Sequence, residues 1–144
     1  MNNIKTFVLL KYEIITEDEN TWHLCDTYPL EVKKKWAWRC ADDVAHLAKG
    51  YKEAEECIRV AKLYSGGLAT KEELDNAYNA AYHAAYHAAY YATRAAYAAH
   101  YAAHCAARAA YCAVVATGNT NPVLMKKYID WLIEELCKHE SKHE

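Results

Sequence analysis

The sequence predicts a mainly α fold: a helical bundle built around one long helix rich in Ala, Tyr and His. Three observations lead there. Alanine recurs at 77, 81, 84, 88, 92, 95, 99, 102, 106, 110 and 113. That is ten steps over 36 residues, 3.6 per step, the period of an α-helix. Gly50, Gly66-Gly67 and Gly118, followed by Pro122, punctuate the chain at helix-length intervals. Residues 75–115 carry only Asp75, Arg94 and Arg108 of the 36 charged side chains, whereas a solvated helix is decorated with Lys and Glu, so this segment is expected to be covered on most sides.

At 144 residues the chain is expected to form a single domain spanning 1–144, large enough for a real core. Residues 1–28 admit two readings. Ile4, Val8, Leu10, Tyr12 and Ile14 alternate with Lys5, Lys11 and Glu13, and Glu17 to Asn20 could turn such a strand into a second one at Trp22 to Cys25. A helix through Ile4, Phe7, Val8, Tyr12 and Ile15 fits the same residues. The β-branched content tips the balance toward a short hairpin, which would have to pack on the helices to be stable.

Residues 29–66 read as two amphipathic helices. Pro29 suits a first turn, and Trp36, Ala37, Cys40, Ala41, Val44, Leu47 and Ala48 form an apolar stripe that stops at Gly50. A second stripe, Ala54, Cys57, Ile58, Ala61 and Tyr64, ends at Gly66-Gly67. Thr70 with Glu73 makes a capping box that starts the Ala-rich helix near Lys71. No Gly or Pro follows until Gly118, so this helix is expected over 70–117, with a length of about 70 Å at 1.5 Å per residue. A compact chain of this size has a radius of gyration of only about 15 Å. The unbroken phase favours one long helix with shorter helices laid along it. The alternative is a single break at Tyr90-Tyr91-Ala92-Thr93, where Tyr91 leaves the pattern. Pro122 opens a last helix over 121–139, with a stripe of Met125, Tyr128, Ile129, Leu132 and Leu136 and with Trp131 beside it.

Composition narrows the function. A net charge of −2, a pI near 6.4 and only two basic clusters, Lys33 to Lys35 and Lys126-Lys127, give no expectation of nucleic acid. No window reaches membrane-spanning length, and Phe7 to Leu10 is too short for a signal core. The six cysteines include no CxxC pair, which suits reduced thiols in a cytoplasmic protein without a membrane partner.

Nineteen alanines between Asp75 and Val115 fall on one half of the helical cylinder, and Tyr, His and Arg on the other. The polar half is the candidate binding face: Tyr82, Tyr86, Tyr90, Arg94, Tyr97, Tyr101 and Arg108. Rings spaced by four stack one turn apart, and a guanidinium beside them can meet a carboxylate or phosphate. His83 with His87 and His100 with His104 are i, i+4 pairs that could each reach one metal, but the pairs lie about 25 Å apart along one helix and no acidic ligand accompanies them. No metal or cofactor is therefore expected. Catalysis has no constellation to rest on, since Asp42-Asp43 and Glu55-Glu56 read as solvated charge.

Trp36-Ala37-Trp38-Arg39-Cys40-Ala41, then Thr70-Lys71-Glu72-Glu73-Leu74 running into the Ala-Ala steps, resemble the small alanine-rich immunity proteins of bacterial polymorphic-toxin systems and their phage and metagenomic relatives. The resemblance covers residues 34 to 117. It implies a non-enzymatic helical protein that neutralises a toxin or effector by protein contact, and it carries over no catalytic residues. Tyr51-Lys52-Glu53-Ala54 departs from the Pro-Arg start of the second helix in those proteins, and Tyr and His stand where Arg or Trp often separate their alanines. Two other functions fit the same chain. A homo-oligomer sequestering a small anionic ligand such as a nucleotide would use Tyr86, Tyr90, Arg94, Tyr97 and Arg108; a structural subunit would bury the uncharged helix between copies.

Overall fold

The computed structural model describes residues 2–14, 27–84, 90–103, 105–118 and 122–142. Seven α-helices and no strand occur among them: α1 Asn2–Lys11, α2 Leu30–Val44, α3 Lys52–Ser65, α4 Lys71–His83, α5 Tyr90–Ala102, α6 Ala106–Ala116 and α7 Pro122–Lys142. A 3₁₀ turn, Ala45–Ala48, extends α2 toward Gly50.

The expected N-terminal hairpin is corrected. Its first strand is α1, and the second, at Trp22 to Cys25, lies outside the described residues. A helix satisfies its own backbone, whereas a two-stranded hairpin depends on neighbours. Val8 and Tyr12, four residues apart, are both buried, and Lys11 and Tyr12 reach Glu140 of α7 at 2.8 and 2.6 Å. α1 ends in a Schellman turn: Glu13 takes a positive φ of 55°, the Ile14 amide donates to the Leu9 carbonyl, and the Glu13 amide donates to that of Leu10. Glycine usually fills that place, so the stop was hidden in the sequence.

Elsewhere the punctuation acts as read. Gly50, Gly67 and Gly118 all adopt positive φ, and Gly67 closes α3 in a second Schellman turn through Leu68 and Leu63. Thr70 and Glu73 form the reciprocal capping box at the start of α4. The stripe of α2 is buried from Trp36 to Val44. α7 antiparallels it, with Trp36 Nε1 donating to the Tyr128 carbonyl at 2.8 Å and the Tyr128 hydroxyl to Asp43 at 2.9 Å.

The single rod over 70–117 is the main correction. The Tyr78 ring lies 4.8 Å from that of Tyr97, although nineteen residues of continuous helix would separate them by about 28 Å. The chain therefore reverses between α4 and α5. It reverses again at Ala103–Cys105, where Cys105 is extended at φ −150°, ψ 94°, and Arg94 then bears on the ionisation of Cys112 across the pair. Tyr90–Thr93, the expected breakpoint, is instead the first turn of α5. Burial explains the folding back. Nine of the thirteen residues of α5 are buried, and helices α2, α3, α4 and α6 touch it. A rod could cover only part of its length, whereas three short Ala-lined helices cover one another. Alanines 92, 95, 96, 98, 99, 109, 110 and 113 are all within 2% of full burial, so α5 approaches its neighbours closely. The Cys57 thiol of α3 contacts the carbonyl oxygen of Ala96 at 3.8 Å.

Candidate functional site

Folding back assembles the tyrosines differently from a ladder on one rod. α4 supplies Tyr78 and Tyr82, α5 supplies Tyr90, Arg94, Tyr97, His100 and Tyr101, and α6 supplies Arg108. These form a connected surface. The Arg94 guanidinium lies over the rings of Tyr90 and Tyr97 at 5.0 and 5.5 Å, Tyr97 meets Tyr78, and Tyr78 meets Tyr101 edge-on at 6.2 Å. Arg108 closes the chain of contacts, 5.4 Å above Tyr101 and donating to its hydroxyl at 3.4 Å.

The surface is graded from wet to dry. Tyr82 and Tyr90 are 59% and 41% exposed, whereas Tyr97 and His100 are 6% exposed. Burial pushes the Tyr97 hydroxyl up to about 12, against a partial opposing effect of the Arg94 charge. Burial first, then a hydrogen bond with Tyr101, raises Tyr78 as well. Tyr82 lies near enough to bear on the ionisation of Tyr97, which links it to the cluster. Of the residues assigned to that face, Tyr82, Tyr90 and Arg108 are exposed, Arg94 and Tyr101 are half-buried, Tyr97 is buried beneath them, and Tyr86 lies outside the described residues. Tyr78 and His100 also join the cluster, 4.3 Å apart between ring centroids, where one continuous helix would set them about 33 Å apart. Their meeting depends on the chain reversal, for which the sequence carries no local signal.

Each i, i+4 histidine pair has one member among the described residues. His83 is exposed beside Tyr82, His100 is buried against Tyr78, and His87 and His104 lie outside the described residues. No group of three His, Cys, Asp or Glu among the described residues could hold a metal ion. Burial lifts the Cys57 and Cys112 thiols to about 12 and about 11, which keeps them protonated and poor as nucleophiles or ligands.

A second polar seam joins α2 and α7. Arg39 pairs with Glu135 at 2.7 Å and lies over the Trp131 ring, and Lys127 pairs with Asp43 at 2.9 Å. Asp43, read as solvated, is an inter-helix contact because α7 brings Tyr128 and Lys127 to it. Each of these charges has its partner, so the seam is a clasp.

No helix among the described residues is long and apolar enough to cross a membrane. Compared with family models, with curated proteins and with solved structures, the chain matches none.

Proposed function

We propose that this chain is a non-enzymatic, cytoplasmic helical binding protein that neutralises a toxin or other effector by direct protein contact, in the manner of the alanine-rich immunity proteins its sequence resembles. The observation that carries the proposal is the continuous Tyr and Arg surface across α4, α5 and α6. It combines exposed rings, a buried floor and two guanidiniums over tyrosine rings. Tyrosine and arginine are the residues that most often anchor protein interfaces, because they offer large contact area and directed donors at low conformational cost. A catalytic role would need a nucleophile, a base and an orienting group in one place, and this surface offers rings and cations instead.

The test is functional. The chain is purified from its native host, and any stoichiometric protein partner is identified by mass spectrometry. The reading expects that partner to arrest growth when expressed alone and the chain to restore growth when co-expressed. Rescue should fail with Tyr82→Ala/Tyr90→Ala while circular dichroism stays unchanged. A stoichiometric nucleotide or other small-molecule adduct with no protein partner would overturn it in favour of ligand sequestration.

A further inference from the structure

The arginines of this surface differ from the other two in the chain. Arg39 pairs with Glu134 and Glu135, and Arg59 with Glu56. Among the described residues neither Arg94 nor Arg108 is in an ion pair; each is held by tyrosine alone. The sequence supplies no local carboxylate, because no Asp or Glu occurs between Asn76 and Ile129. Asp75, in helical phase with Tyr82, is already paired with Lys71 at 3.3 Å. A guanidinium has five donors in a planar fork suited to two carboxylate oxygens, and stacking on a ring leaves the edge of that fork available.

Building on the binding face proposed above, we infer that its partner presents a carboxylate-rich segment of polypeptide, whose Asp or Glu side chains bridge Arg94 and Arg108 across the tyrosines. Charge complementarity selects this occupant. A phosphodiester backbone needs a stripe of cations, whereas this face has two arginines and no Lys lies between Lys71 and Lys126. A basic or apolar partner would leave both guanidiniums without a countercharge at the contact.

The probe is a fluorescein-labelled peptide of about ten residues alternating Glu and Leu. A Lys-for-Glu peptide and an oligothymidylate of matched length serve as comparators, all read by fluorescence anisotropy on the full chain. The acidic peptide should bind at least tenfold better than the basic one, and its affinity should fall about tenfold on raising salt to about 0.5 M, because the pairs are exposed to screening. Arg94→Gln/Arg108→Gln should lose at least ten times in affinity, and the Arg→Lys pair should recover part of it. Arg108→Gln alone, at an exposed position, gives the same readout if the double variant misfolds. Equal binding of acidic and basic peptides, or indifference to Arg108→Gln, would falsify the inference, and tighter binding of the oligonucleotide would redirect it to nucleic acid. The two proposals fail separately. A host partner lost in Tyr82→Ala/Tyr90→Ala but insensitive to salt and to Arg94→Gln/Arg108→Gln keeps the binding face and removes the acidic segment.

Discussion

Trp36 is the side chain on which α2 and α7 close. It is fully buried, and its indole N–H donates to the Tyr128 carbonyl. Trp36→Ala should destabilise the fold by about 3–5 kcal/mol, measured by urea denaturation, since it opens a large cavity and deletes that bond. A loss under about 1 kcal/mol would mean that α2 and α7 collapse into the space. The tyrosines report a different property. An unfolded chain ionises tyrosine near its ordinary value of 10, whereas the folded chain holds Tyr97 neutral up to about 12 and raises Tyr78 and Tyr128 too. Between those values the native state binds more protons than the unfolded one. Stability is therefore fully present below pH 10 and falls as pH rises above it. Absorbance titration at 295 nm should resolve a late-ionising class of tyrosines, and Tyr97→Phe should shrink that class while softening the alkaline loss of stability.

Helix starts and stops divide into those with local chemistry and those without. Thr70→Ala removes one half of the capping box and should cost about 1 kcal/mol. Gly67→Ala meets open space, so its cost is that of the left-handed backbone alone, about 1–2 kcal/mol by thermal or urea unfolding. These boundaries were legible because caps and glycines act within a few residues of where they sit. The reversal between α5 and α6 was not, because Ala103 and Cys105 leave the helix without a Gly or Pro, and no Gly or Pro separates α4 from α5 either. The candidate face shared that fate. The contacts of Arg94 with Tyr90 and Tyr97 follow from their spacing on α5, while the meeting of Tyr78, Tyr101 and Arg108 needed three helices to be laid side by side. Glu13, a Schellman residue in place of glycine, hid the end of α1 in the same way.

Among the described residues the interior around α5 is rich in buried alanine, while most of the largest fully buried side chains, Trp36, Tyr128, Ile129, Leu132 and Leu136, lie on α2 and α7. Ala96 is fully buried among the alanines of α5, and the Cys57 thiol lies 3.8 Å from its carbonyl oxygen, so added side-chain volume must displace packed neighbours. Ala96→Leu should therefore destabilise by about 1–3 kcal/mol in spite of its greater hydrophobicity, with a lower melting temperature as the readout. The two reversals also carry a kinetic consequence. Helix–coil relaxation takes about a microsecond, well before collapse can bring Tyr78 to Tyr97 or Arg94 to Cys112. During that interval no Gly or Pro interrupts the chain between Leu68 and Thr117, so the nascent chain runs helix straight through positions that the native state bends. Stopped-flow ellipticity at 222 nm should overshoot its final value and then relax as the reversals form. A monotonic rise would place the reversals in local chemistry. Refolding of this protein is thus expected to include the melting of helix already made, with its slow step the breaking of structure in the right two places.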